Sequence, residues 1–144
     1  MDNGKIFHAG VKALLFCRGK FLLIERGGGA RDRAGLMEMP GGRMEFGETP
    51  EDALRREVRE ETGAHPIEIL AVLFAWTYFP RENEQTVGIT YLCRTDDPSV
   101  TLSAEHSRYA WIDETELNRH RVIDMVLADL TKVDWTGIRK MYHL

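Results

Sequence analysis

Three glutamates, Glu57, Glu60 and Glu61, fall within one turn of a predicted helix. Carboxylates this crowded repel one another unless a cation sits among them. On a helix of roughly 100° per residue with Glu57 at about 0°, Glu60 lies at about −60° and Glu61 at about +40°. Ala53 (about −40°), Leu54 (about +60°) and Val58 (about +100°) share that arc, while Asp52, Arg55 and Arg59 take the opposite side. A solvated charge run avoids an apolar stripe, and carboxylates turned towards a core are costly unless paired or metal-bound. Glu60 and Glu61 also sit in the last turn, where the helix dipole disfavours anions. The pattern points to a bound divalent cation. All-carboxylate oxygen ligation suits Mg²⁺, with Mn²⁺ as a substitute, and Mg²⁺ commonly keeps waters and substrate phosphates as further ligands. Ca²⁺ would bring a loop pattern that this segment lacks. Arg56 is placed to organise the acids by pairing with Glu48.

The helix that carries these residues is strongly punctuated. Thr49 is a good N-cap, Pro50 suits the first helical position, Asp52 gives a capping-box-like pattern, and Gly63 followed by Pro66 stops the helix. Upstream, Val11 to Cys17 and Phe21 to Ile24 are strand-like runs around a tight Arg18-Gly19 turn. Gly27-Gly28-Gly29 opens a loop through Arg31, Asp32 and Arg33, and Leu36 to Met39 leads into Pro40-Gly41-Gly42. Downstream, Ile67 to Phe79 reads as one or two buried strands, and Thr86 to Cys93 alternates with Val87, Ile89, Tyr91 and Cys93 on one face. Tyr109 to Ile112 reads as another short strand, and Asp113 with Glu116 caps a helical turn. Val122, Ile123, Val126, Leu127 and Leu130 recur at helical spacing, with Asp124 and Asp129 expected outward. Trp135 to Leu144 carries aromatics that could pack on the body or on a second subunit. Strands, a helix, strands and a helix predict an α/β fold with a mixed β-sheet between helices.

Composition bounds the rest. The chain has 144 residues, 43% of them hydrophobic, which fits one domain over residues 1–144 with its own core. A net charge of −4 gives no broad reason to bind a nucleic acid polymer. Residues 42–64 hold seven acids and four arginines, so most of the acidic excess lies where a dication would cancel it. Cys17 and Cys93 lie in apolar runs and read as buried thiols, and no CxxC or HxxxH spacing supports a zinc site. Met1 to Gly10 lacks the apolar core of a signal peptide, and the run Ile69 to Trp76 is too short to span a bilayer. A soluble cytoplasmic protein without membrane partners is the expectation.

Gly42, Glu48, Arg56, Glu57, Val58, Glu60, Glu61 and Gly63 resemble the signature of the Nudix hydrolases. That signature runs Gly, five residues, Glu, seven residues, Arg-Glu, an aliphatic, any residue, Glu-Glu, any residue, Gly, then an aliphatic. The last position departs, with Ala64 small rather than branched, and the match covers 23 of 144 residues. The resemblance implies an α/β/α sandwich around a mixed sheet and hydrolysis of a nucleoside diphosphate linked to another group. It places the metal on Glu57, Glu60 and Glu61, with the backbone carbonyl of Gly41 as a further ligand. A further glutamate from the loop before the last strand would correspond to Glu105. Glu57 or Glu105 is then the candidate general base for in-line attack by water, with Arg56 completing the catalytic set. Arg26 follows a strand where a similar arginine meets substrate phosphate, and Arg31 and Arg33 could reach phosphate from the glycine-rich loop.

The substrate lies outside the signature. Phe7, His8, Trp76, Tyr78 and Phe79 could stack on a base or simply fill the core. Pro80 lies 16 residues after Ala64, as in ADP-ribose-cleaving relatives, and Tyr78 lies near a position linked to dinucleoside polyphosphates. The GLMEMPGG approach to the signature leaves a nucleoside triphosphate equally open. A nucleotide-sensing module on the same fold is the rival from another class, although all four acids of the signature are intact. An isomerase is a third reading, without a cysteine placement that demands it. The resemblance also allows a homodimer.

Overall fold

The computed structural model describes residues 4–28 and 34–144. The first two apolar runs form a hairpin of β1 (Ile6–Cys17) and β2 (Lys20–Arg26), with Phe16 opposite Phe21 and Cys17 opposite Lys20. Arg18 and Gly19 both adopt positive φ, 52° and 82°, so the two-residue turn follows the twist of the strands it joins. Short strands β3 (Met37–Glu38) and β4 (Gly41–Arg43) precede helix α1 (Pro50–Thr62). The Thr49 hydroxyl accepts from the Asp52 N–H at 3.2 Å, which satisfies one orphan donor at the helix start. Gly63, at φ 74°, ends the helix by donating its N–H to the Arg59 carbonyl. Strands β5 (Glu68–Arg81), β6 (Glu84–Arg94) and β7 (His106–Ile112) follow. A 3-10 turn at Glu114–Arg119, then helices α2 (Asp124–Leu130) and α3 (Trp135–Tyr142), complete the order. The Asp113–Glu116 capping box is formed.

The sheet runs β3-β2-β1-β6-β5, with β4 paired to β1 and β7 paired to β2. β1 and β6 are parallel and the other pairs antiparallel, so the sheet is mixed. Strand periodicity divides the apolar residues between two faces. Val11, Ala13, Leu15, Leu22 and Ile24 pack against Ala53, Leu54 and Val58 of α1. Leu14, Phe16, Phe21 and Leu23 pack against Val122, Val126 and Leu130, and the Trp135 ring stacks on Phe21 at 5.1 Å between centroids. Each such side chain contributes about 1.5–3 kcal/mol on burial. Helices on both faces of a mixed sheet give the α/β class that the sequence predicts.

Two local expectations are corrected. Val122 and Ile123 share the helical spacing of α2 but lie before it in extended backbone. Val122 bridges Met37, and the Ile123 N–H donates to the Met37 carbonyl at 3.0 Å. The bare edge of β3 takes these two residues from the helix that periodicity alone would assign them. Asp129, expected outward, lines a cavity on the α2 face of the sheet. Of the stretch Trp135 to Leu144, Trp135 packs on the body against Phe16 and Phe21.

Candidate active site

Helix α1 packs its apolar arc on the sheet, and the centre of that arc decides where each glutamate goes. Ala53, Leu54, Val58, Glu61 and Thr62 are buried, which centres the arc near Leu54 and Glu61 rather than on Glu57. Glu61 therefore points inward, Glu57 sits at the margin, and the Glu60 side chain is 59% exposed. Glu57 and Glu61 meet the backbone of β4. The Gly41 N–H donates to Glu61 Oε1 at 2.6 Å. A Cβ built on Gly42 would lie 2.6 Å from the Glu57 carboxyl carbon, so any side chain there would displace the carboxylate. The structure thus brings Gly41, Glu57 and Glu61 together, and leaves Glu60 at the rim.

Arg56 binds the outer acids. Its guanidinium donates to both oxygens of Glu48, at 2.8 and 2.7 Å, and to Glu57 at 2.9 Å and Glu60 at 3.3 Å. It also donates to the Arg43 carbonyl at 3.1 Å, which ties the helix to β4. A planar fork can serve several acceptors at once, which an ammonium cannot. The paired hydrogen bonds from Arg56 hold the Glu48 carboxyl at about 2.

Inside, Glu61 meets two residues that sequence reasoning missed. Nε2 of His106 lies 3.2 Å from Glu38 Oε1 and 3.4 Å from Glu61 Oε2. Glu38, Glu61 and His106 are all buried, and one ligand atom from each lies within 4.8 Å of the others. β2 makes this meeting. It pairs β3 on one side and β7 on the other, with Ile24 opposite Glu38 and Arg26 opposite His106. Burial pushes the Glu61 carboxyl up to about 7, against the opposing pull of Lys12, the Gly41 N–H and His106. Burial also acts to raise Glu38, but Lys12, the His106 hydrogen bond and Arg26 outweigh it and bring it down to about 2. Of the two facing acids, Glu38 is the one held low by its cationic neighbours and Glu61 the one that burial raises. The signal for Glu38 was present, since an acid between Met37 and Met39 in an apolar strand must find a buried partner.

The remaining expected residues are dispersed around this centre. Arg26 donates to Glu38 Oε1 at 3.2 Å and lines the cavity. Glu105 is exposed on the turn before β7. Its carbonyl accepts from the Gly27 N–H at 2.8 Å, and its neighbour His106 is the residue that turns inward. Arg31 and Arg33 lie outside the described residues. Cys17 and Cys93 are buried free thiols, and no helix among the described residues is long and apolar enough to cross a membrane.

The donor set fits a divalent cation. Glu57 and Glu61 meet adjacent glycines of β4, Glu60 lies at the rim beside them, and burial raises Glu61 in a way that a bound cation would offset. Beside this centre opens a cavity of about 440 Å³. Lys12 and Arg26, both paired with Glu38, line it beside the acids, and Arg43, Trp76, Tyr78, Met125 and Asp129 line the rest. An acidic centre thus lies beside a cavity lined by basic, aromatic and apolar residues on an α/β sheet.

Comparison with known proteins agrees. A model of the NUDIX domain matches residues 6–131. The nucleoside triphosphatase NudI of Klebsiella pneumoniae subsp. pneumoniae is 32% identical over 117 residues, covering 72% of this chain and 79% of that protein. NudI of Enterobacter sp. (strain 638) is 36% identical over 94 residues, covering 58% of this chain and 66% of that protein. The crystal structure of the MutT protein from Methanosarcina mazei Go1 superposes with a TM-score of 0.75 at 25% identity, covering 96% of each chain. The chain belongs to the Nudix hydrolase family.

Proposed function

We propose that the protein is a divalent-metal-dependent pyrophosphohydrolase of nucleoside diphosphate derivatives, with nucleoside triphosphates as the leading substrates and ADP-ribose-like compounds next. The observation that carries this reading is the adjacency of the Gly41–Glu57–Glu61 centre to a cavity whose near end is cationic. Two relatives bear the name nucleoside triphosphatase, which supports the leading substrate class.

In this reading Glu57, Glu60, Glu61 and the Gly41 carbonyl hold Mg²⁺, or Mn²⁺ in its place. When bound there, the ion would supply charge neutralisation on the diphosphate and would activate the attacking water. Arg56 keeps Glu57 and Glu60 side by side at the rim, and His106 with the Gly41 N–H fixes the orientation of Glu61 from behind. Lys12, Arg26 and Arg43 receive the phosphates. Glu57 would take the proton of the attacking water, with Glu105 on the turn before β7 as the alternative base. Water adds across the cleaved anhydride, so a nucleoside triphosphate would give a nucleoside monophosphate and diphosphate, and an ADP-ribose-like compound would give a nucleoside monophosphate and a phosphorylated sugar.

A release assay tests this. Nucleoside triphosphates, ADP-ribose, nucleotide sugars and dinucleoside polyphosphates are each incubated with the protein and Mg²⁺, and the products are resolved. Metal-dependent cleavage of a triphosphate to a monophosphate supports the proposal. Tight binding of a nucleotide with no cleavage of any compound would instead favour a sensing module.

A further inference from the structure

The far part of the cavity contains a floor and an edge that the hydrolytic centre does not use. Trp76 lies on β5, and its ring covers the neighbouring strands at two glycines. A Cβ built on Gly88 of β6 would collide with Cε2, Cζ2 and Cη2 of the Trp76 ring, three consecutive atoms at nearly equal distances. Only the face of a ring presents three consecutive atoms equally, since an edge presents one atom ahead of its neighbours. The same ring reaches Gly10 of β1, where a Cβ would lie 3.1 Å from Cη2. Glycine inside a strand weakens it and marks a close approach, and here two adjacent strands give up side chains so that one indole can lie flat. The indole N–H donates to the Thr90 hydroxyl at 3.2 Å, which fixes the ring in its plane. Trp76 is half-buried and lines the cavity, so one face rests on the glycines and the other is offered to a ligand.

Helix α2 lines the same cavity. Met125, Val126 and Asp129 line the cavity, and their spacing of three and four residues puts them on one helical face. Met125 and Val126 make that wall apolar. Asp129 breaks it with a carboxylate that accepts no hydrogen bond from any described residue. Desolvation raises its pKa, against a weaker pull from Lys132, and the residue remains partly open to the cavity that it lines.

We infer that Trp76 and Asp129 form a base-selecting slot: a flat heterocycle stacks on the indole and turns an edge with two adjacent N–H donors to the Asp129 carboxylate. This deepens the nucleotide reading above and rests on it. The two oxygens of a carboxylate match a ring N–H beside an exocyclic amino group, the edge that guanine presents. Cytosine and adenine present one amino donor beside a ring acceptor. Uracil and thymine present one N–H between two carbonyls, which the carboxylate repels. The expected order of preference is guanine, then cytosine and adenine, then uracil and thymine.

Two readouts test the slot. The first is kcat/KM with Mg²⁺ for GTP, CTP and UTP. The second is quenching of tryptophan emission by GMP and UMP without metal, which needs no turnover. The wild-type protein should favour guanine over uracil in both. Asp129→Asn should reduce that preference about 10- to 100-fold, because an amide offers one acceptor where the carboxylate offered two. Gly88→Ala lifts the indole from its floor, and should weaken quenching by both nucleotides while leaving their order unchanged. Trp76→Phe should abolish most of the quenching itself. Turnover with the same base order in wild-type and Asp129→Asn proteins would overturn the slot and leave the hydrolase reading standing. Base-selective quenching that Asp129→Asn removes, with no turnover of any nucleotide, would support the slot and overturn the hydrolase reading.

Discussion

The two ends of the carboxylate row on α1 solve the problem of crowded charge in opposite ways. At the rim, Glu48, Glu57 and Glu60 share one guanidinium in partial contact with water, and Arg56 settles all three. Inside, Glu61 and Glu38 face each other around His106 with Lys12 3.7 Å from Glu38, and burial raises Glu61 while Lys12, His106 and Arg26 hold Glu38 low. The rim is organised before any ion arrives. The interior leaves one acid, Glu61, raised by burial. A cation placed between them would gain most from the inner acid, which it would ionise, and least from the outer one, which already has a partner.

The strongest test of that contrast is charge removal at each end. Glu57→Gln and Glu61→Gln should each lower Mg²⁺-dependent kcat by about 100-fold or more while the far-ultraviolet dichroism stays that of the wild type. Glu60→Gln sharpens the comparison. If Glu60 leaves Arg56 to ligate the ion, its loss should match the other two in kcat. A loss of only a few-fold would reduce it to a surface partner of Arg56. Arg56→Lys should come next, with kcat/KM down about 10-fold or more, because one ammonium cannot hold three carboxylates in place. Glu105→Gln, whose side chain lies in solvent, should lower kcat less than Glu57→Gln. The reverse order in a kinetic comparison would move the general base to Glu105.

Stability against pH separates the two ends without any assay of turnover. Glu61 has a folded pKa of about 7, above its ordinary value of 4.5. The folded state therefore holds a proton that the unfolded chain has released, and stability falls as pH rises from 4.5 to 7. Glu38, at about 2, acts with the opposite sign. Its contribution is present above 4.5 and is lost as pH falls towards 2. The metal-free protein should therefore be most stable near pH 4.5 with respect to this pair, and lose on the order of 3 kcal/mol towards neutrality. Urea melts across pH read this directly. Glu61→Gln should flatten the limb between pH 4.5 and 7, and saturating Mg²⁺ should reverse it, because ligation needs the ionised acid. An unchanged limb in Glu61→Gln would remove the protonated inner acid from the account.

Helix α1 and its rim were legible in the sequence because their signals are local. Thr49, Pro50 and Gly63 mark the helix, and the eight-residue step from Glu48 to Arg56 brings acid and base together once the helix forms. Glu38 and His106 were not legible as a pair. They lie 68 residues apart and meet only because β2 is flanked by β3 and β7, a pairing that depends on sheet order rather than on local pattern. The same reason explains His106 against Glu105. Both are polar residues at one loop, and only the register of β7 decides which of them turns inward. Asp129 was misread because helical periodicity separates apolar from polar faces, whereas a cavity wall is apolar with a polar exception. The flat indole of Trp76 was weighed as a stacking residue but could not be preferred over its neighbours until Gly88 and Gly10 were seen beneath it.

The most direct test is crystallographic. A crystal soaked in Mn²⁺ and measured at the manganese edge locates the ion by its anomalous signal, independently of any substrate. The account predicts a peak at Gly41 between Glu57 and Glu61, with Glu60 swung from Arg56 towards it. A peak confined to Glu38 and His106, with Glu57 and Glu60 still bound to Arg56, or no peak at all, would contradict it.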